Sequence, residues 1–198
     1  MGNFNEETII NQLRDPKTRR KAFESVVNQY SEKLYWQIRR IVNFHDDADD
    51  VLQNTFLKAW TNIDSFRNDS KLYTWLSRIA INESLSYVSK LKATISMDNE
   101  ELNLAERLES DNYFDGDETQ AMLQEAVDQL PDKQKAVFNL KYFQEMKYED
   151  ISQIFGTSVG ALKASYHLAV KKIEEYFNSH DWNSLPESWK PYFSAIET

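Results

Sequence analysis

Apolar residues recur at helical spacing along three long stretches of the first half of the chain, about Ala22 to Phe44, Ala48 to Ile63 and Leu72 to Leu91. They predict a three-helix block. A shorter amphipathic stretch, Glu6 to Arg14, precedes it and stops at Asp15-Pro16, since a residue before proline is pushed away from helical dihedrals. From Ser96 to Thr119 the periodicity fades and the segment reads as a linker. Helical spacing returns over Gln120 to Gln129, Asp132 to Gln144, Tyr148 to Phe155 and Ser158 to Phe177. The pattern therefore predicts an all-α chain: a helical domain over 1–95, a linker over 96–119, a smaller helical domain over 120–178 and a tail over 179–198. That tail holds Trp182, Trp189, Tyr192 and Phe193 with two prolines, and is expected to dock on something.

Composition supports helices, because 198 residues contain only 4 Gly and 4 Pro to break them. With 41% hydrophobic and 13% aromatic content, two cores can be filled. Cysteine is absent, which excludes disulfides and thiolate metal sites. His45, His167 and His180 lie far apart without helical pairing, so no metal or cofactor is expected. No apolar run reaches the roughly 18 residues of a membrane span, and the polar start MGNFNEE is unlike a signal peptide, so a cytoplasmic protein without membrane insertion is expected.

The net charge of −9 argues against nucleic acid until its distribution is considered. Ser96 to Asp128 holds eleven acids against the single base Arg107, which leaves 21 acids and 22 bases elsewhere. The flanking domains can therefore each carry a basic face.

Tyr148 to Ser158 reads as a short helix, a turn at Gly156 and a Thr157-Ser158 N-cap for the next helix, the spacing of a helix-turn-helix. At 100° per residue Val159, Leu162, Tyr166, Ala169, Val170, Ile173 and Phe177 share the inner side of that second helix. Gly160, Lys163, Ala164, His167 and Lys171 share the outer one, where small residues permit close approach to base edges and lysines meet phosphates. An ordinary αα-hairpin with a solvated face would read similarly.

In the N-terminal block, Asp46-Asp47-Ala48-Asp49-Asp50 places carboxylates at a helix start, where the macrodipole favours them without any metal. The core arc of that helix reads as Ala48, Leu52, Phe56, Ala59 and Ile63. Leu57 falls opposite with Asp50, Gln53 and Asn54, and Trp60 sits at the edge, which suggests a small protein-docking face. After a polar loop, Asp64 to Ser70, the third helix has Leu72, Leu76, Ile79, Ala80 and Tyr87 inside and Lys71, Arg78, Asn82 and Ser89 on another face. Cations, an amide and the indole of Trp75 at the margin suit phosphates and unstacked bases. The alternative is that Trp75 simply completes the three-helix core.

Asp47-Ala-Asp-Asp-Val-Leu-Gln-Asn-Thr-Phe-Leu-Lys-Ala-Trp60 and Leu72-Tyr-Thr-Trp-Leu-Ser-Arg-Ile-Ala-Ile-Asn82 resemble region two of the extracytoplasmic-function (ECF) RNA polymerase sigma factors. Leu130-Pro-Asp-Lys-Gln and Tyr148 to Ile173 resemble their region four, in the same order and at family spacing. The resemblance covers about residues 20–177. It implies a non-catalytic, promoter-specific initiation factor that binds core RNA polymerase, melts the minus-ten element through region two and reads the minus-thirty-five element through region four. By motif position, Asp50, Gln53, Leu57 and Trp60 would meet the β′ clamp helices. Arg67, Lys71, Tyr73, Trp75, Arg78 and Asn82 would meet the opened minus-ten strand. Thr157, Ser158, Lys163, Ala164, His167, Leu168 and Lys171 would face the upstream duplex while region four binds the β flap.

Asn54 stands where an acid usually follows the glutamine, and Ser165, Leu168 and Val170 stand where many members carry arginine. Upstream readout should thus depend less on charge. The run Gly160-Ala-Leu-Lys-Ala-Ser-Tyr-His resembles Bacteroidetes-like members. The resemblance further implies sequestration by a separate anti-sigma protein, and a linker that lies in a positively charged polymerase channel and is protease-sensitive when free. Two rival readings are a stand-alone helix-turn-helix regulator that binds duplex without polymerase, and an all-α hydrolase using Asp46 to Asp50, which lacks partner histidines.

Overall fold

The computed structural model describes residues 5–98 and 118–180. Most of the acidic linker and all of the aromatic tail beyond His180 lie outside these residues, so the expectations for them have no structural counterpart here. The chain forms two compact units, whose cores are built by the helices up to Asp98 and by those from Glu118 onward.

The first unit comprises α1 (Glu6–Arg14), α2 (Arg19–Val42), α3 (His45–Thr61) and α4 (Leu72–Asp98), with a 3-10 turn at Ile63–Ser65. Asn5 caps α1 by accepting from the Thr8 amide at 3.0 Å, and the helix ends at Arg14 as Asp15-Pro16 predicts. The long second helix ends two residues before the predicted Phe44. Asn43 adopts a left-handed conformation (φ 70°) and its amide returns to the Arg39 carbonyl, so Phe44 begins the next helix as its N-cap. Beside it, the Tyr35 hydroxyl lies 2.6 Å from His45 Nδ1, and His45 Nε2 lies 3.6 Å from Asp49. His45 thus belongs to the α2–α3 joint. Among the described residues no cluster of His, Cys, Asp or Glu is placed to hold a metal ion, and no helix is long and apolar enough to cross a membrane.

Val26, Leu34, Ile38, Ala48, Leu72, Leu76 and Ala80 form the centre of the first core. The core arc of α3 differs from the one read by periodicity. Val51 and Thr55 are buried with Ala48 and Ala59, whereas Leu52 and Phe56 only flank the stripe. Thr55 tolerates burial because its hydroxyl donates to the Val51 carbonyl at 2.7 Å, a satisfaction that a hydropathy pattern does not register. Helix α4 runs to Asp98, so the segment Ser96 to Asp98 continues the helix instead of opening the linker.

The second unit holds α5 (Glu118–Asp128), α6 (Asp132–Tyr142), α7 (Tyr148–Phe155) and α8 (Val159–His180). Its core gathers Leu123, Val127 and Leu130 with Phe138, Ala169, Val170, Ile173 and Phe177. Phe138 stacks on Tyr166 (5.7 Å between centroids), so Tyr166 sits on the inner side of α8 as read from the sequence. Lys135, almost fully buried, is neutralised by Asp128 at 2.5 Å, tying α5 to α6.

Gly156 closes α7 in the left-handed region (φ 62°), with its amide on the Ser152 carbonyl, and an added Cβ would meet nothing within 4 Å. Gly156→Ala therefore isolates the backbone penalty from any steric one. We expect it to destabilise the second unit by about 1–2 kcal/mol, read as a lower thermal midpoint.

Candidate nucleic-acid interface

A polar layer sets the rotation of α4. Gln37 of α2 is fully buried, and its Oε1 accepts from Ser77 Oγ at 3.1 Å and from the Tyr73 hydroxyl at 3.5 Å. The Tyr73 ring stacks on Tyr30 (5.5 Å), and burial pushes both phenols above their ordinary range, so both remain O–H donors. Tyr73 consequently faces inward, away from the other residues assigned to the opened strand. The resemblance alone grouped Tyr73 with them; the buried acceptor on α2 holds it inward.

With that rotation fixed, Trp75, Arg78 and Asn82 come to one open groove of about 270 Å³ between α3 and α4, together with Lys58, Asn62, Ser65, Ile79 and Glu83. Lys58 pairs with Glu83 at 2.6 Å across its wall. The Trp75 ring is half-buried and leans on Phe66 (5.3 Å), which the loop sends back into the core. One side of Trp75 thus completes the core and the other lines the groove. Arg67 and Lys71 are exposed on the loop and at the helix start. Phe66, Lys58 and Asn62 escaped the sequence reading. A lone Phe within the polar run Asp64 to Ser70 was the available signal for the first.

On α3, Asp50 and Gln53 are exposed with Leu57 (61%) and Trp60 (38%). Trp60 makes an edge contact with Phe23 of α2 (5.1 Å), which holds the indole at the rim of this face. An exposure of 61% is high for a leucine in the middle of a helix whose neighbours Val51, Thr55 and Ala59 are buried.

In the second unit Ser158 caps α8, its Oγ accepting from the Ala161 amide at 3.2 Å, and Ser152 Oγ donates to the Thr157 carbonyl at 2.5 Å. Thr157, Ser158, Lys163, Ala164, His167, Leu168 and Lys171 are all exposed, and Leu168 remains 49% accessible. The Lys163 ammonium rests over the Tyr148 ring at 5.8 Å, and Lys141 approaches the same ring at 5.0 Å. Burial raises the Tyr148 phenol. The start of α7 therefore steadies a cation on the outer face of α8.

Residues 26–94 match the family Sigma-70 region 2, and residues 120–173 match Sigma-70, region 4. The ECF RNA polymerase sigma factor SigW of Bacillus subtilis is 31% identical over 156 residues, covering 74% of this chain and 83% of its own. The chain belongs to the ECF RNA polymerase sigma factors. The ECF RNA polymerase sigma-E factor of Escherichia coli is 30% identical over 165 residues, covering 78% of this chain and 85% of its own. Among solved structures, the sigma factor RpoE of Bartonella quintana in complex with the anti-sigma factor NepR shares the fold. Its TM-score is 0.63 at 24% identity, over 80% of this chain and 98% of the other. CnrH in complex with the cytosolic domain of CnrY gives 0.64 at 22% identity, over 88% and 97%. As an ECF sigma factor the chain is a promoter-specific transcription initiation factor that acts with RNA polymerase.

Proposed function

We propose a division of labour along the chain that follows the domains read from its sequence, 1–95, 96–119, 120–178 and 179–198. The outer face of α3, with Asp50, Gln53, Leu57 and Trp60, meets core polymerase. The α3–α4 groove, with Trp75, Arg78 and Asn82 beside Arg67 and Lys71, takes unpaired bases of the minus-ten element. Tyr73 contributes by holding α4 against α2. The outer face of α8 reads the minus-thirty-five duplex. The observation that carries this reading is the convergence of an indole, a guanidinium and an amide on one groove, since stacking, phosphate neutralisation and base-edge hydrogen bonding are what a single strand offers. Unstacking costs a few kcal/mol per base, which such a groove offsets.

No bond-making chemistry is assigned to the protein, and it works in the cytoplasm beside polymerase and promoter DNA. When not on polymerase the Leu57–Trp60 face needs another cover, and a separate anti-sigma protein is the regulator that we propose. Run-off transcription with core polymerase and a candidate promoter, with and without the protein, tests the reading as a whole. Tight binding to promoter duplex in the absence of polymerase would favour the stand-alone regulator instead.

On α8, Lys171 lies a turn beyond His167 and acts on phosphate as a point charge. Lys171→Ala is expected to weaken all promoters alike and to reduce the slope of log affinity against log salt by about one. His167→Ala should reorder preference among upstream sequences, because an imidazole at base edges donates or accepts selectively. Abortive transcription on a library varied only upstream, at several salt concentrations, checks both. A reordering by Lys171→Ala with none by His167→Ala would reverse the two roles.

A further inference from the structure

Helix α1 lies before both family matches, yet it grips the loop that precedes the groove helix. Its Ile10 and Leu13 are buried in the first core. At its start, Glu6 Oε1 accepts from the Leu72 amide at 2.9 Å and Oε2 from the Tyr30 hydroxyl at 3.3 Å. The first turn of α4 needs such an acceptor: Lys71, the residue before it, has no side-chain acceptor to offer, and a carboxylate also complements the positive end of the macrodipole. Just beyond α1, Arg19 Nε donates to the Leu13 carbonyl at 2.8 Å, and its two terminal nitrogens reach Asp64 at 2.6 and 3.3 Å. This fork fixes both distance and orientation. The 62–71 loop is therefore held at both ends, to α1 where Glu6 accepts from the Leu72 amide and to the first residue of α2 where Arg19 pairs with Asp64, with Phe66 anchored against Trp75 between them. Its exposed tip runs along α1. Asn68 there adopts φ 65° and shares a cleft with Glu6, Glu7, Ile10, Asn11 and Arg14.

We infer that Glu6 and Arg19 are positioning residues for promoter opening: they hold the 62–71 loop and the first turn of α4 in the shape that offers Arg67, Lys71 and Trp75 to an unpaired strand. Helix α1 thereby takes part in selecting the downstream promoter sequence without touching it. This rests on the proposed role of the α3–α4 groove.

The test is abortive transcription by reconstituted holoenzyme, full chain included, on a library varied only in the minus-ten element. Glu6→Ala and Arg19→Ala are each expected to compress the ratio between best and worst sequences by about fivefold, the scale of one lost helix cap. Glu6→Gln, which keeps a carbonyl oxygen for the Leu72 amide, should restore most of the range. Ranking on an upstream-only library should not move. Because Glu6→Ala could loosen the whole unit, Asp64→Ala breaks the Arg19 fork from its exposed side and is expected to compress the same ratio. A uniform loss on every sequence, with the ranking intact in Glu6→Ala and Asp64→Ala while Asn82→Ala reorders it, would overturn the inference and leave the groove reading standing. If Asn82→Ala and Trp75→Ala also leave the ranking unchanged, the groove reading falls and this inference with it.

Discussion

Leu57→Asp is expected to reduce affinity for core polymerase by about a hundredfold or more while the helical circular dichroism and thermal midpoint stay at wild type. Leu57 is 61% exposed, so in the free protein the carboxylate loses little and remains solvated. In the proposed complex the substitution removes apolar contact at the centre of the face framed by Asp50, Gln53 and Trp60. It also buries a charge without a partner, which costs several kcal/mol unless the interface opens to water. Gln53→Ala, which removes one amide at the rim, should weaken binding less. Binding of labelled protein to core polymerase by fluorescence anisotropy gives both values. Loss of helicity in Leu57→Asp would mean that the residue packs inside the unit and that the docking face lies elsewhere. Phe56, by contrast, is half-buried at the flank of the α3 stripe, where it touches Phe23 edge-on (6.3 Å). Its truncation should cost less than the about 3 to 5 kcal/mol of a fully buried aromatic.

Phe177→Ala should cost that full amount, about 3 to 5 kcal/mol, and unfold the second unit at physiological temperature. The ring is completely buried near the end of α8, in the same cluster as Ile173, Leu123 and Val127. A small core has few residues over which to share the loss. Nearby, the Tyr176 hydroxyl donates to Glu125 at 2.8 Å, so the end of α8 is also where that helix is held to α5. Hydrogen–deuterium exchange on the full chain should show protection lost over 123–177 and kept over 22–90, with transcription from promoters that depend on the upstream element abolished. Equal loss of protection in both units would mean that they fold as one.

The helix-turn-helix was legible because each of its parts is specified locally. Gly156 suits the left-handed cap, Ser158 supplies the N-cap oxygen, and the period of 3.6 separates Leu162, Ala169 and Ile173 from Lys163, His167 and Lys171. Leu57 was legible for the same reason, since one wheel assigns it away from the core. The α3 core arc was less so. Leu52 and Phe56 outrank Thr55 in hydropathy, and only the backbone hydrogen bond of Thr55 makes its burial tolerable.

The helical class, the order of the two units and the outward faces of α3 and of α8 could all be read from residue order. Those properties follow from period, caps and breakers, which act over a few residues. Packing between helices is what turns Tyr73 inward to Gln37 and Tyr30, draws Phe66 out of a polar loop to support Trp75, and brings Glu6 to cap a helix 66 residues further along the chain. Each of these depends on a partner from another helix. No local pattern records which amide lacks an acceptor, or which distant carboxylate will be near enough to supply it.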